Sequence, residues 1–151
     1  MPNWCYNRIR IDADSDQVEQ LKEIHDIFDN HSDPFNQILP IPDFKNIPND
    51  KGELPKLEQR LTPDGSVFYE TYNFPDGKND DRWYHWCIEN WGTKWDVSEL
   101  EIEYDEESLE LTFSTAWSPP EGIMQELKDK YPDLGFSCFY DEPGMEIAGY
   151  Y

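Results

Sequence analysis

Between Ser98 and Leu111 the chain carries seven carboxylates, Glu99, Glu101, Glu103, Asp105, Glu106, Glu107 and Glu110, and no basic residue. Acids at alternate positions of a strand project on one face about 6.8 Å apart. A row of carboxylates at that spacing can imitate a run of phosphates and engage the basic groove of a protein that handles nucleic acid, with association accelerated by long-range attraction. The bland alternative is a solvated strand face, partly neutralised by Arg8 and Arg10, whose acids keep a sheet edge from aggregating. For an acidic run the bland reading is the commoner one, and the whole-chain excess raises the first, because 12 Lys+Arg against 33 Asp+Glu leave a formal charge of −21. Such a surface repels a nucleic-acid polymer, which binds by displacing its counterions with cations, and it repels an anionic membrane equally. No apolar run approaches the roughly 20 residues of a spanning helix.

Catalytic chemistry finds little support. His25, His31 and His85 fall in separate segments with no HxH, HExxH or Cys/His ligand spacing, and no Gly-rich phosphate loop or GxSxG elbow occurs. No catalytic residue, metal or cofactor is assigned, and the reading is non-enzymatic. His25 and His85 are expected to pack among apolar neighbours. Cys5, Cys87 and Cys138 are odd in number and far apart, each beside aromatic residues. That pattern predicts buried, reduced thiols in a cytoplasmic protein, in keeping with a start that lacks a basic, apolar secretion signal.

The 151 residues suit a single domain spanning 1–151, and 8 Phe, 6 Trp and 9 Tyr demand a packed body rather than a solvated chain. Alternation from Asn3 to Ile11 predicts a first strand. Val18, Leu21, Ile24 and Phe28 predict a helix ending near Asn30. Seven of the twelve prolines then fall between His31 and Asp80. This Pro-rich stretch marks an insertion of about 31–92, with a short strand over Ser66–Phe74 and a ring-laden helix over Asp81–Trp91 stopped by Gly92. Leu100, Ile102 and Tyr104, then Leu109, Leu111 and Phe113, predict a hairpin around Asp105-Glu106-Glu107. Pro119-Pro120 opens a second principal helix closed by Pro132, Leu134–Tyr140 is a final strand, and the tail from Met145 adds another. The order is β-α-insertion-β-β-α-β. With right-handed crossovers this is an α+β, ferredoxin-like βαββαβ fold, an antiparallel sheet with two helices on one face and the helix-containing insertion between the first helix and second strand.

Several strings carry a family likeness: Pro2-Asn3-Trp4-Cys5-Tyr6-Asn7, Trp86 to Asp96, Thr115-Ala116-Trp117-Ser118-Pro119-Pro120, and Tyr140-Asp141-Glu142-Pro143-Gly144 with Ala148-Gly149. Together they resemble the YubB-like proteins of plasmids, prophages and phages, which have a ferredoxin-like domain. The resemblance implies that fold and a mobile-element setting, and it implies no chemistry.

Strand directions add an inference of their own. In this topology the first and second strands start, and the third and fourth end, at one pole, where Trp4, Lys94, Trp95, Asp96, Trp117 and Asp141 therefore converge beside the N-terminus of the second principal helix. Such a pole suits a small aromatic or anionic ligand such as a nucleotide. It equally suits simple packing, with the helix over Asp81–Trp91 filling it with its own rings. An RRM-like use of Trp4 and Tyr6 as base-stacking rings is weaker, because no K/R-G-F motif occurs and the glutamates of the second strand share that face. The leading expectation is an acidic interaction protein of a phage or plasmid that binds and inhibits a host defence or nucleic-acid-processing protein with a basic surface, using Glu99, Glu101, Glu103, Asp105, Glu106, Glu107 and Glu110. The alternative is ligand binding at the Trp pole.

Overall fold

A computed structural model describes residues 2–151. In chain order the elements are β1 (Trp4–Asp12), α1 (Val18–Asn30), α2 (Pro34–Ile38), a 3-10 turn (Phe44–Asn46), β2 (Lys56–Leu61), β3 (Val67–Asn73), α3 (Arg82–Asn90), β4 (Ser98–Asp105), β5 (Ser108–Ala116), α4 (Glu121–Lys130), β6 (Gly135–Glu142), a second 3-10 turn (Pro143–Met145) and β7 (Ile147–Tyr150). They fall into two compact units, one of residues up to Pro40 together with Cys87–Tyr151, the other of Ile41–Trp86.

The first unit is built on an antiparallel sheet in the order β4-β5-β1-β6-β7. Without β7, its strands and the helices α1 and α4 form the expected ferredoxin-like βαββαβ arrangement. Alternation decides the faces: Cys5, Asn7, Ile9 and Ile11 of β1 are buried while Tyr6, Arg8 and Arg10 are exposed. Against the buried side lie Leu21, Ile24 and Phe28 of α1 and Ile123, Met124 and Leu127 of α4, joined by Leu109, Leu111 and Phe113 of β5. Phe35 of α2 enters the same core edge-on to Phe113 at 5.7 Å. The other face of the sheet carries no helix among these core contacts, so strand alternation leaves a broad polar surface opposite the core. All three cysteines are buried and unpaired.

The second unit contains the β2–β3 hairpin and an ion-pair centre. Arg82 donates to Asp80 through both Nε, at 2.8 Å, and Nη2, at 2.9 Å, reaches the Phe44 carbonyl at 2.7 Å, and lies over the rings of Phe44 and Phe74. The strand expected within Ser66–Phe74 is β3; its partner β2 is an addition to the sequence reading. His85, expected to pack, instead stands exposed with Asp81 at 3.5 Å one helical turn away. Its flanking Trp residues do not enclose it, because α3 turns that position outward.

Candidate functional site

Strand registers set the open face of the sheet in rows. One row runs Glu103, Glu110, Arg10, Ser137, the next Glu101, Thr112, Arg8, Phe139, Tyr150, and the third Ser98, Ser114, Tyr6, Asp141, Ala148. The glutamates of β4 therefore occupy one edge of this face, with Asp105 continuing their alternation and Glu106 and Glu107 in the turn beyond. Six of the seven acids are exposed and Glu110 is half-buried. Glu103 and Glu110 are direct cross-strand partners of like charge. Arg10, the next residue along, is drawn away to Asp12 of its own strand at 3.2 Å. Among the described residues none of the seven acids takes part in an ion pair.

Glu99 departs from the alternation. The register shifts between Ser98 and Glu101, and Glu99 itself has φ 54°, the left-handed region that a residue with a Cβ rarely adopts. Two concavities meet at this bulge. The larger, about 370 Å³, is lined by Tyr6, Arg8, Glu99, Thr112, Phe139 and Asp141 among others. The smaller, about 130 Å³, is lined by Trp4, Tyr6, Ser98, Glu99 and Ser114. The Arg8 guanidinium lies 5.6 Å from the Phe139 ring centre, on the far side of the larger one.

The residues expected at the aromatic pole are divided between roles. Trp4 and Trp95 meet at 6.4 Å between ring centres, and the Lys94 ammonium lies 4.2 Å from the centre of Trp95. Trp95 and Trp117 remain 41% and 44% exposed. Trp117 is held at φ 69° while its N–H donates to the Asn3 carbonyl at 2.9 Å. Asp141 is exposed and lines the larger concavity. Asp96 turns elsewhere: its two oxygens accept the N–H groups of Phe35 and Asn36, each at 3.1 Å, and of Val97 at 2.9 Å. It ties α2 to the strand entry, and burial nonetheless raises its carboxyl above the usual value.

The helix side of the pole is packed. Trp91 is buried edge-on to Phe35 and donates Nε1–H to the Leu39 carbonyl at 2.9 Å. Its own carbonyl accepts the Gly122 N–H at 3.0 Å, and Ser118 Oγ donates to the Gly92 carbonyl at 2.5 Å. The start of α4, which the topology offered to an anion, is thus engaged by the chain itself. A Cβ on Gly122 would lie 1.8 Å from the Asn90 carbonyl oxygen, so only glycine permits this approach.

One buried acid escaped the sequence reading. Glu142 is fully buried with neither carboxylate oxygen hydrogen-bonded, and desolvation raises its carboxyl above the ordinary range. Alternation from core-facing Cys138 would have pointed to it, since Tyr140 and Glu142 follow at steps of two. Nearby lies a satisfied polar chain, in which Tyr151 Oη donates to Asn7 Oδ1 at 2.9 Å and Asn7 Nδ2 to Thr115 Oγ1 at 3.0 Å. Among the described residues no group of three or more His, Cys, Asp or Glu is placed to hold a metal ion, and no helix is long and apolar enough to cross a membrane.

Comparison with known proteins agrees with the architecture. No curated protein matches the chain. The crystal structure of a protein api92 from Yersinia pseudotuberculosis resembles it with a TM-score of 0.55 at 12% identity, over 99% of this chain and 93% of that one, a likeness of fold. Residues 90–151, which hold β4, β5, α4, β6 and β7, match the family model described as the ferredoxin-like domain in Api92-like protein.

Proposed function

We propose that this chain is a non-enzymatic interaction protein that captures a basic partner protein on the acidic edge of its open sheet face. The observation that carries the reading is the in-register pair Glu103 and Glu110, set among acids that form no ion pair among the described residues. Like charges directly opposite each other oppose strand pairing, and an approaching cationic surface relieves that repulsion. The YubB-like strings suggest a phage or plasmid protein of the cytoplasm. In that setting the partner is a host defence or nucleic-acid-processing protein, inhibited because the carboxylate row stands in for nucleic-acid phosphates. The alternative, a nucleotide at the Trp pole, keeps exposed rings and Lys94 but lacks the helix N-terminus and Asp96, both already engaged within the fold.

Affinity isolation from host lysate tests the proposal, comparing the natural protein with a variant carrying Lys at 101, 103, 107 and 110. Recovery of a basic protein that falls with added salt and disappears with the variant supports it. Recovery unaffected by either change rejects it, provided circular dichroism shows the variant folded.

A further inference from the structure

We infer that the small concavity bounded by Trp4, Tyr6, Ser98, Glu99 and Ser114 is a subsite for an arginine side chain of the bound partner. This rests on the acidic face being the docking surface, and it names the group recognised there. The chemistry of the lining selects the ligand. The lining consists of two aromatic residues, one acid and two serines, the residue types that can supply ring faces, an opposing charge and hydroxyl acceptors. Neither Ser98 nor Ser114 makes a side-chain hydrogen bond among the described residues, and the Glu99 carboxylate has no ion pair. A phosphate or carboxylate would meet Glu99 with no cation in the lining. An ammonium would use the charge but leave a ring face and an acceptor unused, whereas a planar guanidinium stacks, forks onto a carboxylate and donates to both hydroxyls.

Two features of the surroundings fit this assignment. The pole already holds one cation on a ring, Lys94 over Trp95, so its aromatic surfaces are placed for such contacts. Arg8 lines the adjoining larger concavity but not this one, and so confines a guest cation to the pole end of the groove. Glu99, left-handed at the register shift, lines both concavities, while Glu101 and Glu103 line neither.

The probe is a short, otherwise uncharged peptide containing a single Arg, compared with its Lys and citrulline counterparts by tryptophan fluorescence and calorimetry. Arg should bind best, Lys roughly tenfold more weakly and citrulline more weakly still, in proportion to one cation–π contact and one forked ion pair. Glu99→Gln and Tyr6→Ala should each weaken the Arg peptide roughly tenfold, and Glu19→Gln on α1, an exposed acid outside the docking face, should leave it unchanged. Equal affinity for Arg and Lys peptides, indifferent to Tyr6→Ala, would overturn the subsite while leaving a diffuse acidic docking face intact. Preference for citrulline or for a single-stranded oligonucleotide, or no binding of any peptide, would overturn it as well. Loss of lysate capture on reversing positions 101, 103, 107 and 110, with Arg-peptide binding retained, would separate the face from the subsite.

Discussion

Substituting Gly122 tests the joint on which the pole is built. Gly122→Ala places a Cβ 1.8 Å from the Asn90 oxygen and 2.7 Å from its carbonyl carbon, both backbone atoms that cannot rotate aside. Either the start of α4 or the last turn of α3 must shift, and forced repacking of this kind costs about 1–3 kcal/mol. The shift also stretches the Gly122 N–H to Trp91 carbonyl bond, which at 3.0 Å contributes about 1 kcal/mol. Alanine returns nearly 1 kcal/mol through better helix propensity. The net is a loss of about 2 kcal/mol, a roughly thirtyfold change in the unfolding equilibrium. Urea unfolding followed by circular dichroism measures it, with Gly135→Ala as control, since a Cβ there meets only ordinary contacts at 3.8 Å or more. Hydrogen exchange at the first-turn amides of α4 should accelerate in step. A Gly122→Ala protein within about 0.5 kcal/mol of the Gly135→Ala protein would refute the close approach and the packed helix side of the pole.

Glu142→Gln should raise the melting temperature at pH 8 and have little effect well below pH 4.5, the ordinary carboxyl value. A raised folded pKa means that the acid's stabilising contribution is complete when protonated and is lost as pH rises through that value. Arg82→Lys keeps the charge but loses the fork onto Asp80 and the stacking on Phe44 and Phe74, so exchange within 41–86 should quicken by about 1–3 kcal/mol of local stability while β1 and β5 are unaffected. Burial raises the Cys5 and Cys87 thiols to about 11 and pushes Cys138 up as well, so iodoacetamide at pH 8 should label no cysteine until denaturant is added. Glu103→Lys should stabilise the fold by about 0.5 kcal/mol through pairing with Glu110, seen as a higher urea midpoint, while weakening partner capture.

The parts of the fold legible in the sequence are those with one wet and one dry side. β1, the later part of β4 and the first part of β5 alternate because helices cover only one face, and Val18 to Phe28 repeats at helical spacing for the same reason. β2 was not legible: all six residues of Lys56–Leu61 are exposed, so no apolar side exists to impose a period. The meeting of Trp4 and Trp95 followed from strand direction, which topology fixes once the element order is known. The fate of Asp96 did not follow, because two of its three hydrogen-bond donors stand about sixty residues earlier at the start of α2. Nor did the bulge at Glu99, since glutamate carries no signal for a positive φ as glycine would. The small concavity depends on that bulge, and a reading by strict alternation places Glu99 as one more member of a uniform row.

A solubility coat and a docking face make different demands on neighbouring charges. An acid that only guards a sheet edge does so by being charged and solvated, and it does this best away from other acids; Glu101 opposite Thr112 has that arrangement. Glu103 opposite Glu110 does not, and the arginine able to relieve the pair is engaged with Asp12 instead. The fold therefore retains a repulsion that a single Lys at position 103 would remove. Retained repulsion costs stability in the free protein and is recovered only when an external cation arrives, which favours association with a basic surface over mere avoidance of aggregation. The acid at Glu99 extends the same logic to the pole, where it lines the small concavity with Trp4, Tyr6 and two serines and forms no ion pair among the described residues.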